Sequence, residues 1–288
     1  MTTLSKKIDF AVILTVNHAN PNGDPLTGNR PRVTYEGLGE ISDVAIKRKI
    51  RNRLMDMNKE VFVQSDDNRK IGDNHRSLLA RAKAEIKVEP KKDEEYRKAA
   101  CEKWLDVRAF GQVFPFKGDS NGQGASIGIR GPVSIHNAFS VTKVENHITS
   151  LQITKSVNTE GGEGGKRSSD TMGMKHRVDH GVYVFYGSMN PQLATKTGFS
   201  DEDAQAIKEA LKTLFRNDAS SARPEGSMEV FKVYWWEHNS PNGQYSSAKV
   251  HRLLEVKPNK EEPKNIDKDY DISLAELPGL NCEVLDGE

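Results

Sequence analysis

The run IDFAVILTV, residues 8 to 16, is rich in β-branched residues and apolar on both faces. Such a strand needs cover on both sides and belongs in the middle of a sheet. Three more segments can pair with it. IGIRGPVSIHNAFSV, residues 127 to 141, alternates apolar and polar positions and reads as a second core strand, with Pro132 pointing to an edge or a bulge. GVYVFYGSMN, residues 181 to 190, is a third, and the β-branched, aromatic SMEVFKVYWWEH, residues 227 to 238, a fourth.

Two helices fall between these strands. Ser42 can cap a helix from about Asp43 to Met57, with Val44, Ile50, Leu54 and Met57 on its apolar side. SDEDAQAIKEALKTLFRN, residues 200 to 217, opens with the capping-box pattern Ser200-x-x-Asp203 and continues as an amphipathic repeat. The order is β-α-β-β-α-β, so the expected class is α+β with a ferredoxin-like, split-βαβ core. The core covers residues 8–57, 126–141 and 180–238 within a single domain.

Two long interruptions separate the core segments. Residues 58 to 125 carry short helical pieces, charge runs such as KKDEEYRKAACEKW and the turn-rich GDSNGQG, without a clean domain-sized core. They read as an insertion. Residues 142 to 179 hold the strand-like HITSLQITKSV, the Gly-rich NTEGGEGGKRSSDT and then MGMKHRVD. The simplest form is a long hairpin with a mobile tip. From Arg252 to residue 288 acids outnumber bases about two to one, an acidic extension.

The loop NHANPNGDPLTGNRPR leads into a helix bearing Lys47, Arg48, Lys49, Arg51 and Arg53. Asn20, Asn22 and Gly23 offer short amides and bare backbone N–H groups, although Asn-Pro-Asn-Gly-Asp-Pro is also ordinary turn chemistry. The nearest acids in sequence, Glu40, Asp43 and Asp56, lie beyond the ends of the cationic cluster. The cations therefore read as unpaired along the helix, and with Arg30 and Arg32 they can form one track for a polyanion. The net charge of only +1 does not oppose this, because the charge is unevenly distributed along the chain. Nucleic acid is the first partner to consider.

Several other motifs admit two readings. GGEGGKRS resembles a P-loop but has Glu160 in place of the first glycine and Arg167 in place of the Mg²⁺-binding hydroxyl. Around it cluster Lys155, Lys166, Arg167, Lys175, His176 and Arg177, with Met172 and Met174 as adaptable apolar side chains that suit a clamp or wedge on a strand. His176 and His180 have i,i+4 spacing, but the β-rich run that follows argues against a metal pair. Phe110, Phe114 and Phe116 can either stack on bases or anchor the insertion. The aromatic signature of ordinary RRM sheets is absent. Asp24 is either a turn cap or a metal-holding general base. Two cysteines, Cys101 and Cys282, fit a reducing compartment, and no stretch approaches twenty apolar residues, so a cytoplasmic, non-membrane protein is expected.

NPNGDP, NRPRVT, GLGEISDVAIKRKIRNRL, DVRAFG, IRGPVSIHNAFSV and TMGMKHRVDHGVYVFYGSMNP together resemble the backbone subunit of type I-C CRISPR effector (Cascade) complexes, across roughly residues 8 to 240. That resemblance implies a modified RRM core with a finger-like insertion (58–125) and a thumb-like hairpin (142–179). It implies several copies polymerised along one CRISPR RNA in a right-handed helical filament, presenting the guide to target DNA. The other partners implied are the large, small and guide-processing subunits. Neither a cofactor nor catalysis is expected. By matching positions, Arg30, Arg32, Lys47, Arg48, Arg51 and Arg53 would hold guide phosphates, and Met172, Met174, Lys175 and Arg177 would belong to the thumb. Arg130 completes the RNA-binding candidates. The alternative is a metal-dependent ribonuclease, like the type III backbone subunits, cutting target RNA through Asp24.

Overall fold

The computed structural model describes residues 2–90, 92–116, 125–155 and 171–288. Its centre is an antiparallel sheet built around β1, Ile8–Ala19. Two two-residue strands, β2 (Gly23–Asp24) and β3 (Arg30–Pro31), close the following loop. A Cβ on Gly23 would stand 2.9 Å from the Asn29 carbonyl oxygen, which is why a residue without one occupies this turn. β4, Leu38–Ile41, then leads into α1, Asp43–Asp56, whose N-terminus is capped by the Ser42 hydroxyl accepting from the Ala45 N–H.

The buried stripe of α1 is Ile46, Lys49, Ile50 and Leu54. This corrects the sequence expectation at one end, because Val44 is 68% exposed and Ile46 takes its place. The 46-50-54 spacing follows the helical period more closely than a start at residue 44.

The insertion contains α2 (Leu78–Glu85), α3 (Asp93–Lys103), α4 (Leu105–Phe110) and a hairpin of β5 (Gly111–Phe116) with β6 (Ala125–Arg130). It has a core of its own, which the charge runs hid. Phe62, Tyr96, Trp104, Phe114 and Ile127 are all at most 3% exposed. Phe114 lies 5.1 Å from the Phe62 ring and 5.4 Å from the Tyr96 ring, and Phe116 meets Tyr96 edge-on at 5.3 Å. These two rings are therefore packing residues, and the base-stacking alternative is set aside for them.

The expected single strand over 127–141 is divided. β6 belongs to the insertion's hairpin, while β7 (Val133–Ile135) and β8 (Ala138–Lys143) join the central sheet. The break falls at Gly131-Pro132. A Cβ on Gly131 would stand 2.2 Å from the Ala109 carbonyl oxygen, and Pro132 has no N–H to give a ladder. β9 (Ile148–Lys155) pairs with the outer part of β10 (Thr171–Met189) from Val178↔Ile148 to Thr171↔Lys155. The hairpin strand and the third core strand are thus one continuous strand, whose inner half pairs with β1.

α5 (Pro191–Thr197) and α6 (Asp201–Lys212) follow, the latter with the Ser200/Asp203 capping box formed in both directions. β11, Met228–Glu237, lies on the other side of β1. The strand order β11-β1-β10-β8, with helical segments after β1 and after β10, is the β-α-β-β-α-β core expected, extended at its edges by β4 and by β14 (Cys282–Asp286).

Alternate residues of β1 explain its double apolar character. Phe10, Val12, Leu14 and Val16 face the α1/α6 side, and Ala11 and Ile13 face a second cluster. That second face is covered by the C-terminal segment: α7 (Ser247–His251), β12 (Leu254–Pro258), α8 (Ile266–Asp269) and β13 (Tyr270–Leu274), through Val250, Leu253, Leu254, Ile266 and Tyr270. Asp9, fully buried on this covered side, accepts from His238 Nε2 at 2.8 Å and pairs with Lys7 at 3.1 Å. Burial pushes its carboxyl pKa up, and the His238, Ser247 and Lys7 contacts outweigh that and hold it below the usual value. Among the described residues no helix is long and apolar enough to cross a membrane.

Candidate nucleic-acid interface

Five cations on α1 read as an unpaired face in the sequence; the fold supplies partners to four of them. Arg51 donates through Nε to Asp106 Oδ2 at 2.8 Å, and its guanidinium lies 5.1 Å from the Phe110 ring centroid. Arg53 donates to the Thr213 hydroxyl at 2.7 Å and pairs with Asp56. Lys49 is 5% exposed and ion-paired with Asp218. Lys47 pairs with Asp43 at 2.9 Å and lies above the Phe110 ring.

Arg51 and Arg53, expected to grip phosphates, are both turned to acceptors within the chain. Their side chains are 12% and 11% exposed, and their acceptors come from α4, from the end of α6 and from α1's own last turn. Asp106 is 55 residues from Arg51 in sequence, out of reach of any i,i+4 argument. Its carboxylate also accepts the Phe62 N–H at 2.7 Å and the Val63 N–H at 3.1 Å, so one buried acid ties the insertion to α1.

Arg48 differs. Among the described residues nothing in the chain accepts from its guanidinium, and its Nη1 is buried without a partner. Burial, and then the Arg51 charge, lower its pKa from the ordinary arginine value against the opposing pull of Asp67 and Asp106. A guanidinium buried without an acceptor leaves a donor unsatisfied, which an anion beside it would answer.

Arg48 lines an open cleft of about 470 Å³. One wall is the β1–β2 loop with Asn22 and Gly23, another is Arg48 and Asn52 of α1, and the rest comes from Asp67–Asn68 and the turn after α6 that carries Asn217, Ser220 and Arg223. The Asn52 Oδ1 is likewise buried without a partner.

The loop's asparagines build this wall. Asn22 Oδ1 accepts from both the backbone N–H and the hydroxyl of Ser42, at 2.9 and 3.0 Å, so the loop is tied to the helix cap. Asn20 is 6% exposed and donates to the Asn29 carbonyl at 2.6 Å. The Asp24 carboxylate accepts the Leu26 N–H at 3.1 Å and lies 3.6 Å from Arg32 Nη2, which is the turn-capping geometry. Among the described residues no group of three or more His, Cys, Asp or Glu stands ready to hold a metal ion.

Arg30 reaches the hairpin instead of the cleft. Its Nη1 is 3.4 Å from the Ser150 hydroxyl, which lies 2.8 Å from His176 Nδ1 on the facing strand. His176 and His180 are both on β10 and contact Ser150 and Asn17 respectively, so they do not form a pair. Lys175 and Met174 are exposed along the hairpin, Met174 at 55%. Arg177 is partly exposed but donates to Asp179 at 3.0 Å. Arg130 is exposed at the end of β6. Lys155 and Met172 sit in paired strand positions, and Lys166 and Arg167 lie outside the described residues.

Reasoning from sequence missed Asn52, Asp67, Asn68, Asn217, Ser220 and Arg223. Only the turn composition of ASSARPEG hinted that the α6–β11 connection ends in a fixed loop carrying a base.

The chain is 24% identical over 292 residues to the CRISPR-associated protein Cas7 of Haloferax volcanii, covering 96% of this chain and 83% of that protein. Among solved structures it resembles a chain of a CRISPR RNA-guided surveillance complex in a pre-nicking state, with TM-score 0.41, 18% identity and coverage of 80% of this chain and 75% of that one. It also resembles a chain of the type III-B Cmr-β complex bound to cognate target RNA, with TM-score 0.43, 12% identity and coverage of 79% and 60%. The model of the CRISPR-associated protein Cas7 family matches residues 6–275, nearly the whole molecule, and the chain belongs to that family.

Proposed function

We propose that the chain is a CRISPR RNA-binding backbone subunit of a type I, I-C-like effector complex. In this reading several copies lie along one guide and present it for pairing with target double-stranded DNA, alongside the large, small and guide-processing subunits. The observation that carries it is the Arg48 guanidinium, without an acceptor among the described residues, in the cleft between the β1–β2 loop and the 217–223 turn. A guide held through its phosphates leaves its base edges free to pair.

The covered sheet supports the same reading. In an RRM the open sheet face stacks bases on aromatics. Here that face lies beneath α7, β12 and β13, so affinity has to come from backbone contacts. Arg30, Lys175, Met174 and the exposed Arg130 extend the surface toward the hairpin and the insertion, where a neighbouring copy's segment of guide would pass.

Arg48→Glu tests the assignment. The variant is expected to melt like the wild type and to lose the RNA that copurifies with it; retention of RNA at wild-type level would refute the cleft. The competing reading, cleavage of target RNA through Asp24, predicts regularly spaced cuts when the assembled complex meets complementary RNA and Mg²⁺. The turn-capping contacts of Asp24 favour no Asp24-dependent cuts, and cuts that vanish in Asp24→Ala would reverse that conclusion.

A further inference from the structure

We propose that Arg223, on the turn between α6 and β11, is a second phosphate ligand of the Arg48 cleft, and that the buried Lys49–Asp218 pair is what leaves it free to act. This rests on the reading of the cleft as a seat for single-stranded RNA.

Asp218 receives two cations on one oxygen. The Lys49 ammonium pairs with Oδ2 from the helix side, and Arg223 Nε donates to the same atom at 3.2 Å. Lys49 is 5% exposed, lies 5.2 Å from the Phe215 ring centroid and has its ammonium on Asp218. It answers the Asp218 charge from inside. Arg223 is then surplus to that carboxylate. Among the described residues nothing in the chain accepts from either of its Nη groups, and its side chain is 28% exposed.

The backbone beneath Arg223 is held in place. Ser220 and Arg223 exchange backbone hydrogen bonds at 2.8 and 3.1 Å, and the Ser220 hydroxyl also accepts from the Arg223 N–H at 3.2 Å. The guanidinium is thus anchored through Nε and by its own turn, with its forked end free at the cleft. A planar fork with fixed donors suits the two free oxygens of a phosphodiester.

Charge agrees with one bound phosphate. The cleft-lining residues include three cations, Arg48, Lys49 and Arg223, against two carboxylates, Asp67 and Asp218. One positive charge remains, matching one phosphodiester. Arg48 from α1 and Arg223 from the turn approach it from different walls, so the seat exists only in the folded chain.

The test is binding of a fluorescent oligouridylate single strand to the full-length protein across a salt series, with thermal melting as the control for folding. Each phosphate contact on a single strand contributes about 0.7 to the slope of log affinity against log salt. Arg223→Gln should reduce the slope by about that amount without a change in melting, and Arg223→Lys should retain it. In Lys49→Met, Asp218 has only Arg223 as counter-ion, and the slope should fall as in Arg223→Gln; an unchanged slope in a folded Lys49→Met variant would overturn the positioning role. If Arg48→Gln lowers the slope and Arg223→Gln does not, Arg223 is only a structural partner of Asp218. If neither variant changes it, the cleft itself is not the RNA seat.

Discussion

Within α1, bases of the same type do opposite work. Lys49, Arg51 and Arg53 are answered by Asp218, Asp106, Thr213 and Asp56, and they hold the helix to the insertion and to the α6–β11 turn. At the cleft, among the described residues no group accepts a hydrogen bond from Arg48, whose Nη1 is buried without a partner. Counting bases along a helix measures neither role. What separates them is whether an acceptor from a distant segment reaches the guanidinium before a ligand can.

The sharpest way to break this comparison is Asp106→Ala. It strands Arg51 and two backbone N–H groups in a buried setting, and removing one partner of a buried pair costs about 3–5 kcal/mol. Urea denaturation should show that loss, whereas Arg48→Gln should be nearly neutral by the same measurement. Equal destabilisation by the two variants would erase the distinction between the paired bases and Arg48.

A smaller effect comes from Lys49. Burial dominates over the attraction of Asp218 and brings its pKa down from 10.5 to about 8. The unfolded chain therefore holds a proton that the folded chain has released between about pH 8 and 10.5. Over that window stability should rise with pH relative to Lys49→Met. A difference between the two proteins that stays flat across it would show that the ammonium is not desolvated.

Least of all should follow from Lys47→Gln. Its pair with Asp43 is a partly exposed i,i+4 contact, a class contributing about 0.3–0.5 kcal/mol. A loss of several kcal/mol on denaturation would place Lys47 with the packed group.

Much of the core was readable because its signals are local. The double-faced apolar run of β1, the Ser42 cap and the Ser200/Asp203 box depend on residues within a few positions of one another, and the fold contains each as expected. The core of the insertion was obscured because Phe62, Tyr96, Trp104 and Phe114 are scattered among charges and converge only when α3, α4 and the β5–β6 hairpin pack together. β6 was assigned to the wrong sheet because alternation predicts a strand but says nothing about its neighbour.

By itself the sequence determined the element order, the helix caps and the presence of a cationic segment behind an Asn/Gly/Pro loop. Tertiary structure alone decided which cations are free, that the acidic C-terminal segment covers a sheet face, and that Arg223 lines the same cleft as Arg48. The physical reason is range. Caps and periodicity act within a turn or two of chain, while the fate of a charge depends on which distant carboxylate folding brings within hydrogen-bonding reach and how much water it leaves around the pair.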